Sequence, residues 1–172
     1  PGGILYFKTQ QRSYRDLPKR VAEFGLVHRH ELHGALHGLF RVRNFTQDDA
    51  HIFMTREQMK PEVIETLQMF KDLYAPFGIK YHVELSTRPE NSMGSDELWE
   101  LATDALREAI EQAGIPYKVN EGDGAFYGPK LDFHIQDSLG RTWQCGTIQM
   151  DMQLPERFDV TYVGEDGEKH RA

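Results

Sequence analysis

Residues 95–114 carry the pattern that most restricts what this chain can fold into. Ser95 stands where an N-cap belongs, and Asp96 and Glu97 follow in the first turn. Leu98, Leu101, Ala102, Ala105, Leu106, Ala109 and Ile110 then recur at three- and four-residue spacing before Gly114. A cap oxygen satisfies free amides, acidic residues suit the positive end of a helix, and an apolar stripe needs another layer to cover. This window therefore predicts an amphipathic helix packed by one face. A second window, 56–75, places Met59, Val63, Ile64, Leu67, Phe70 and Tyr74 on one stripe, with Thr55 and Gln58 spaced as a capping box and Gly78 beyond the end.

Around these two helices lie short strand-like runs: 22–30, 45–54, 79–86, 117–120, 130–137, 142–152 and 160–163. Leu139-Gly140 forms a tight turn between two of them, and Gly34 to Gly38 breaks the first pair. Adjacent antiparallel strands are favoured over parallel βαβ units. The expectation is an α+β fold with a mixed but mainly antiparallel sheet flanked by helices. No repeat or long linker divides the chain, so its 172 residues, 39% of them hydrophobic, read as one continuous domain.

Composition narrows the partners. The stretch from Arg12 to Arg43 collects Arg12, Arg15, Lys19, Arg20, Arg29, Arg41 and Arg43, although the net charge is -7. A polyanion such as ATP or an RNA end would bind there and not over the whole surface. No apolar run reaches the ~20 residues of a membrane span and no signal peptide is evident, so no membrane partner is expected. One cysteine, Cys145, allows no intrachain disulfide, in keeping with a cytoplasmic location. The first residue, Pro1, and the last, Ala172, read as the ends of an excised segment.

The chemistry gathers on the first pair of runs. Alternation puts Arg29 and Glu31 on one face of their strand, and Arg43, Phe45, Gln47, Asp49 and His51 on one face of its partner. Four of those five are polar or charged, which is a poor core face and a good floor for a small polar ligand. Arg29 offers a planar fork for phosphate or carboxylate, Phe45 a flat face for a base, and Gln47 and Asp49 partners for an amino group or hydroxyl. His51 can act as a metal ligand or a general base.

An Arg-x-Glu strand, a loop with His37-Gly38, and then Arg41-Val-Arg-Asn-Phe-Thr-Gln-Asp-Asp-Ala-His51 resemble motif 2 of class II aminoacyl-tRNA synthetases in its threonyl form. Leu85-Ser-Thr-Arg-Pro-Glu90, Gly124-Ala-Phe-Tyr-Gly-Pro-Lys130, Gln144-Cys-Gly-Thr-Ile-Gln149 and Tyr162-Val-Gly-Glu-Asp166 extend the resemblance over essentially the whole chain. The resemblance implies a central part of a class II catalytic core. Its motif 2 region would occupy about 20–54, a helix-and-strand insertion about 55–125, and later core strands about 126–165.

It further implies a ligase that activates L-threonine with ATP and Mg2+ and transfers it to the 3' end of threonine tRNA. Arg29 would be catalytic, bridging the α-phosphate and the threonine carboxylate. Glu31, Arg41, Phe45 and Gln144 would complete the ATP site. Gln47, Asp49, Tyr127 and Lys130 would line the threonine site, and Gln149 would meet the tRNA end. Zn2+ would be held by His51 with a Cys and a second His outside residues 1–172, and the parent protein would be a homodimer. A zinc ion with an open position explains the choice of threonine, because a site that must engage a hydroxyl rejects valine far better than an apolar pocket can.

Some positions depart from the pattern. Gly3 stands where the family tends to have His, His170 reads as a solvated tail residue, and Cys145 as a structural or site-lining thiol. Trp99, Trp143, Met54, Met59 and Met69 read as packing residues, and His28, His30 and His33 as an incidental group. The isolated segment is expected to be inactive and either poorly folded or left with an exposed, unpaired sheet edge. Two other readings are a synthetase-like binding module without activity, and a zinc hydrolase built on His51 with Asp48 or Asp49.

Overall fold

A computed structural model describes residues 2–172. Helix α1 (Gly2–Phe7) leads into a two-stranded antiparallel ribbon, β1 (Lys19–His28) and β2 (Asn44–Phe53). Helix α2 (Met59–Tyr74), strand β3 (Tyr81–Ser86), helix α3 (Asp96–Gln112), and strands β4 (Tyr117–Asn120), β5 (Lys130–Gln136) and β6 (Thr142–Gln149) form the central unit. Helix α4 (Gln153–Arg157) and a short hairpin, β7 (Thr161–Val163) with β8 (Lys169–Arg171), complete the chain.

Both predicted helices form. Ser95 caps α3 by accepting the Leu98 amide, and Gly114 ends it at φ 65°, a left-handed position that glycine takes without a Cβ penalty. Gln58 accepts the Thr55 amide at 3.0 Å ahead of α2. The stripes of α2 and α3 then cover one face of a four-stranded sheet ordered β4-β3-β5-β6. Leu67, Leu106 and Ile110 from the helices meet Val83, Leu85, Leu131 and Phe133 from the sheet, all fully buried or nearly so. Each such side chain contributes about 1.5–3 kcal/mol by leaving water. A smaller core joins Ile4 and Phe7 of α1 to Leu17, Phe53 and Val160.

The ribbon attaches to this unit by charge as well as packing. Arg20 of β1 donates to both oxygens of buried Glu62 on α2, at 2.8 Å each, and also pairs with Glu65. One of the cations read from sequence as facing a polyanion is thus a structural bridge. The remainder of the ribbon is open, with Phe24 86% exposed.

The structure also corrects the reading of several elements. Strand β4 runs parallel to β3 through α3, a βαβ unit where antiparallel neighbours were favoured, although the other strand pairings are antiparallel. Met150 to Met152 leave the sheet for α4 and do not prolong β6. His170 lies on β8 and contacts Asp166 at 2.8 Å, so it belongs to a hairpin and not to a tail. Met69 is 50% exposed and fills no core gap. Among the described residues, no helix is long and apolar enough to cross a membrane.

Candidate functional site

Pairing across the ribbon sets the first half of the site. Val27 lies opposite Phe45, Gly25 opposite Gln47, Glu23 opposite Asp49 and Val21 opposite His51. The Arg29 amide donates to the Arg43 carbonyl at 2.9 Å, which carries the ladder one step past β1. Arg29 consequently shares the face of Phe45, and its guanidinium sits 5.1 Å from the centre of that ring. A cation over an aromatic face is attractive, and the pair leaves the ring half-buried and the fork open to solvent.

Glu31 and Arg41 are engaged with each other. The Arg41 Nε lies 3.1 Å from the Glu31 carboxylate, while Arg43 donates to the Glu31 backbone carbonyl at 2.9 and 3.2 Å. Phe40, in the loop between the ribbon strands, stacks on Trp143 of β6 at 4.0 Å. That contact ties the loop to the larger sheet and gives Trp143 the packing role read from sequence.

The second half lies on the sheet face opposite the helices. Lys130, Asp132 and His134 alternate on β5 with buried Leu131 and Phe133. The Asp132 carboxylate, 1% exposed, is a hub: it accepts from Ser86 Oγ at 2.8 Å, Gln144 Nε2 at 2.6 Å and Thr147 Oγ1 at 3.2 Å, and pairs with Lys130 Nζ at 2.7 Å. Buried charge is tolerated only when so satisfied. A β-bulge across Phe133/His134 inserts one residue into β6, so that Gln144 and Thr147, three apart, point the same way as Gln149.

Tyr127 bridges towards the ribbon. Its hydroxyl donates to Gln149 Oε1 at 2.7 Å. Burial raises its pKa first, and the charges of Asp151 and Asp49 raise it further. Asp151 accepts the amides of Gln153 and Leu154 at 2.9 and 3.0 Å. Burial pushes its carboxyl above the usual range, while those amides and the His51 ring pull it back.

His51, Gln149 and Asp151 line a cavity of about 440 Å3 floored by Ile52, Phe53, Met54 and Met150. A Cβ on Gly3 would lie 2.9 Å from the His51 ring, so glycine lets α1 sit against the imidazole.

The structure therefore gathers the predicted residues into two clusters. Arg29, Phe45, Glu31 and Arg41 lie on the ribbon, while Lys130, Gln144, Tyr127 and Gln149 lie on or beside β5 and β6. Asp49 acts on Tyr127 through its field, and His51 meets Gln149 and Asp151 at the cavity. Gln47 stays on the exposed ribbon face between them. Ser86, Asp132, Thr147 and Asp151 were not anticipated. The alternation Lys130-Leu-Asp-Phe-His-Ile135 held a signal for Asp132, since an acidic residue flanked by core positions must find partners.

His51 belongs to no group of three potential metal donors among the described residues; the one such group lies elsewhere. The chain fits one ligand of a zinc site and not a complete set.

The family profile described as "tRNA synthetase class II core domain (G, H, P, S and T)" matches residues 1–172. A threonine--tRNA ligase of Acetivibrio thermocellus is 70% identical over 171 residues, 99% of this chain. One from Carboxydothermus hydrogenoformans is 69% identical over the same share. This chain spans 27% of the length of either. Among solved structures, the RNA binding domain of threonyl-tRNA synthetase from Cryptosporidium parvum Iowa II superposes with a TM-score of 0.95 at 47% identity, over 99% of this chain and 43% of that one. A putative threonyl-tRNA synthetase from Aeropyrum pernix gives 0.80 at 41% identity, over 93% and 39%.

Proposed function

This chain belongs to the class II tRNA synthetase core family, and from that premise we propose that the longer protein containing it is a threonine--tRNA ligase. One observation carries the reading: Arg29 lies over Phe45, followed by Gln47, Asp49 and His51 at every second position, in a chain 70% identical to a protein of that name.

In the proposed reaction a threonine carboxylate oxygen attacks the α-phosphorus of ATP in line, the bond to the β-phosphate bridge breaks, and pyrophosphate leaves. A hydroxyl of the terminal tRNA adenosine then attacks the carbonyl carbon of the adenylate and AMP departs. Nothing in either step demands a protein nucleophile. Catalysis rests on placement and on charges set where charge develops. Arg29 would span the α-phosphate and the carboxylate with its two-pronged fork, and Phe45 would carry the adenine.

Glu31 is the group best suited to accept from the adenine amino group. Its carboxylate is now taken by Arg41 at 3.1 Å, so adenine entry would release Arg41 towards the triphosphate, where Mg2+ accompanies the nucleotide. Asp49, Gln47 and Tyr127 would receive the threonine ammonium and hydroxyl, with Lys130 held nearby by Asp132. Gln144 would serve ATP and Gln149 the tRNA end. His51 would give one donor to a zinc ion completed by residues outside the chain. Such an ion, when bound, supplies a Lewis-acid site that tests for the threonine hydroxyl. A dimeric parent enzyme acting in the cytoplasm is part of the same proposal.

The test is amino-acid-dependent exchange of labelled pyrophosphate into ATP by the full-length protein. Exchange with threonine, weaker with serine and absent with valine, supports the assignment, and Arg29→Ala should abolish it. No exchange with any amino acid would refute the ligase and leave a binding module.

A further inference from the structure

On the same sheet face as the Asp132 hub and next to it, β3 and β5 bring two imidazoles and a carboxylate to one spot. His82 lies directly opposite His134 in the antiparallel register, and Glu84 follows His82 on the same face. The two rings are parallel within 8° at 4.9 Å. Each turns its Nε2 to a different oxygen of Glu84, at 3.4 Å from His82 and 3.7 Å from His134. The three candidate donor atoms all lie within 4.8 Å of one another.

We propose that His82, Glu84 and His134 form a binding site for a divalent transition metal of the zinc class. Donors about 2.0–2.1 Å from a tetrahedral ion stand roughly 3.3 Å apart. Each imidazole already stands close to this distance from one Glu84 oxygen, and small side-chain rotations would bring one donor from each residue onto a single ion. Two neutral imidazoles and one carboxylate suit zinc, cobalt or nickel, whereas calcium and magnesium prefer all-oxygen shells.

The surroundings fit that role. Glu84 is oriented from outside by Asn120, which donates to its Oε2 at 3.0 Å, the kind of outer partner that fixes a ligating carboxylate. Among the described residues, only the rings of His82 and His134 lie within ion-pairing distance of the Glu84 carboxylate; Lys118, its cross-strand neighbour on β4, does not. A divalent ion would balance the carboxylate without charging two stacked rings. His82 remains 44% exposed, which gives the ion an entry path and leaves water to complete its shell. Bound there, it would staple β3 to β5 and, through Asn120, to β4. None of these side chains is itself assigned to threonine, ATP or tRNA, although His134 lies opposite Gln144, which the proposed function gives to ATP.

The experiment uses the full-length protein, stripped with chelator, titrated with Co2+ and Zn2+, and read by ligand-field absorption and by metal content after desalting. Wild-type protein should hold one equivalent more than His82→Gln/His134→Gln, and the extra cobalt spectrum should vanish in that variant. His51→Ala should keep the extra equivalent; its disappearance there would assign the ion to His51 and overturn the proposal. Glu84→Gln keeps side-chain volume and covers the case in which the double variant does not fold. Its affinity for the extra equivalent should be about tenfold weaker or more. Equal stoichiometry in wild type and double variant, or unchanged affinity in Glu84→Gln, would also overturn it.

Discussion

Replacing Asp132 by Asn should loosen β5 and β6 far more than the loss of one exposed charge would. The carboxylate is 1% exposed and holds Lys130 at 2.7 Å and Gln144 at 2.6 Å, with Ser86 and Thr147 also donating. Lys130 is itself only 13% exposed, and its alternative partner, Asp123, is 3.6 Å away. At an effective dielectric of about 20, unit charges at this separation attract by about 6 kcal/mol, an upper bound because an amide oxygen would still accept a hydrogen bond. Breaking buried pairs by removing one partner costs about 3–5 kcal/mol, and the lower figure suits a site with a second carboxylate in reach. A loss of about 3 kcal/mol corresponds to roughly 150-fold in an opening equilibrium.

The assay is amide hydrogen exchange with mass spectrometry on the full-length protein, following peptides across Leu131 to Gln149 and normalising to peptides of α2. Exchange there should quicken by about two orders of magnitude in Asp132→Asn. The double variant Asp132→Asn/Lys130→Met, which leaves no unpaired charge, should recover a large part of that loss. If Asp132→Asn stays within threefold of wild type, the hub does not hold the sheet and the reasoning fails.

Phe45→Ala should raise the KM for ATP about fivefold in pyrophosphate exchange and leave that for threonine within twofold, since a stacked ring contributes about 1 kcal/mol beyond its area. Comparable shifts in both would mean that Phe45 serves the whole site. Gly128→Ala places a Cβ 1.8 Å from the Met150 backbone oxygen and should destabilise by 2 kcal/mol or more, whereas Gly2→Ala meets nothing within 4 Å and should be neutral in thermal unfolding. The Asp137 carboxyl is held well below its ordinary value by hydrogen bonds from Trp143, Arg141 and the turn amides. Its contribution to the β5–β6 turn is therefore complete above a pH of about 3.9 and is lost as pH falls through the depressed value. The exchange gap between wild type and Asp137→Asn, corrected for intrinsic rates, should be constant from about pH 5 to 7 and shrink below about 4; a gap that widened there would contradict the sign.

Local pattern alone was enough to read α3 with its Ser95 cap, α2, and the polar face from Arg29 to His51. In each case the information lies within a few residues: a helix repeats every 3.6 positions, a strand every two, and a cap beside its own amides. The ribbon was legible for the same reason, since a glycine-bearing loop between two alternating runs leaves one simple pairing. The short end pieces were not. Helix α1 opens on two glycines, and β8 is three residues whose partner, β7, lies across a turn.

The second half of the site depended on contacts that no single stretch encodes. Gln144 and Gln149 are five positions apart, and strict alternation would send them to opposite faces. The bulge opposite Phe133/His134 brings them together, and it exists only once β5 and β6 pair. Asp132 is one more polar residue in a strand until Ser86 from β3 and Gln144 from β6 arrive around it. Register shifts and buried polar networks are properties of paired strands, so the residues of this face are written in the chain while their convergence is decided by the tertiary structure.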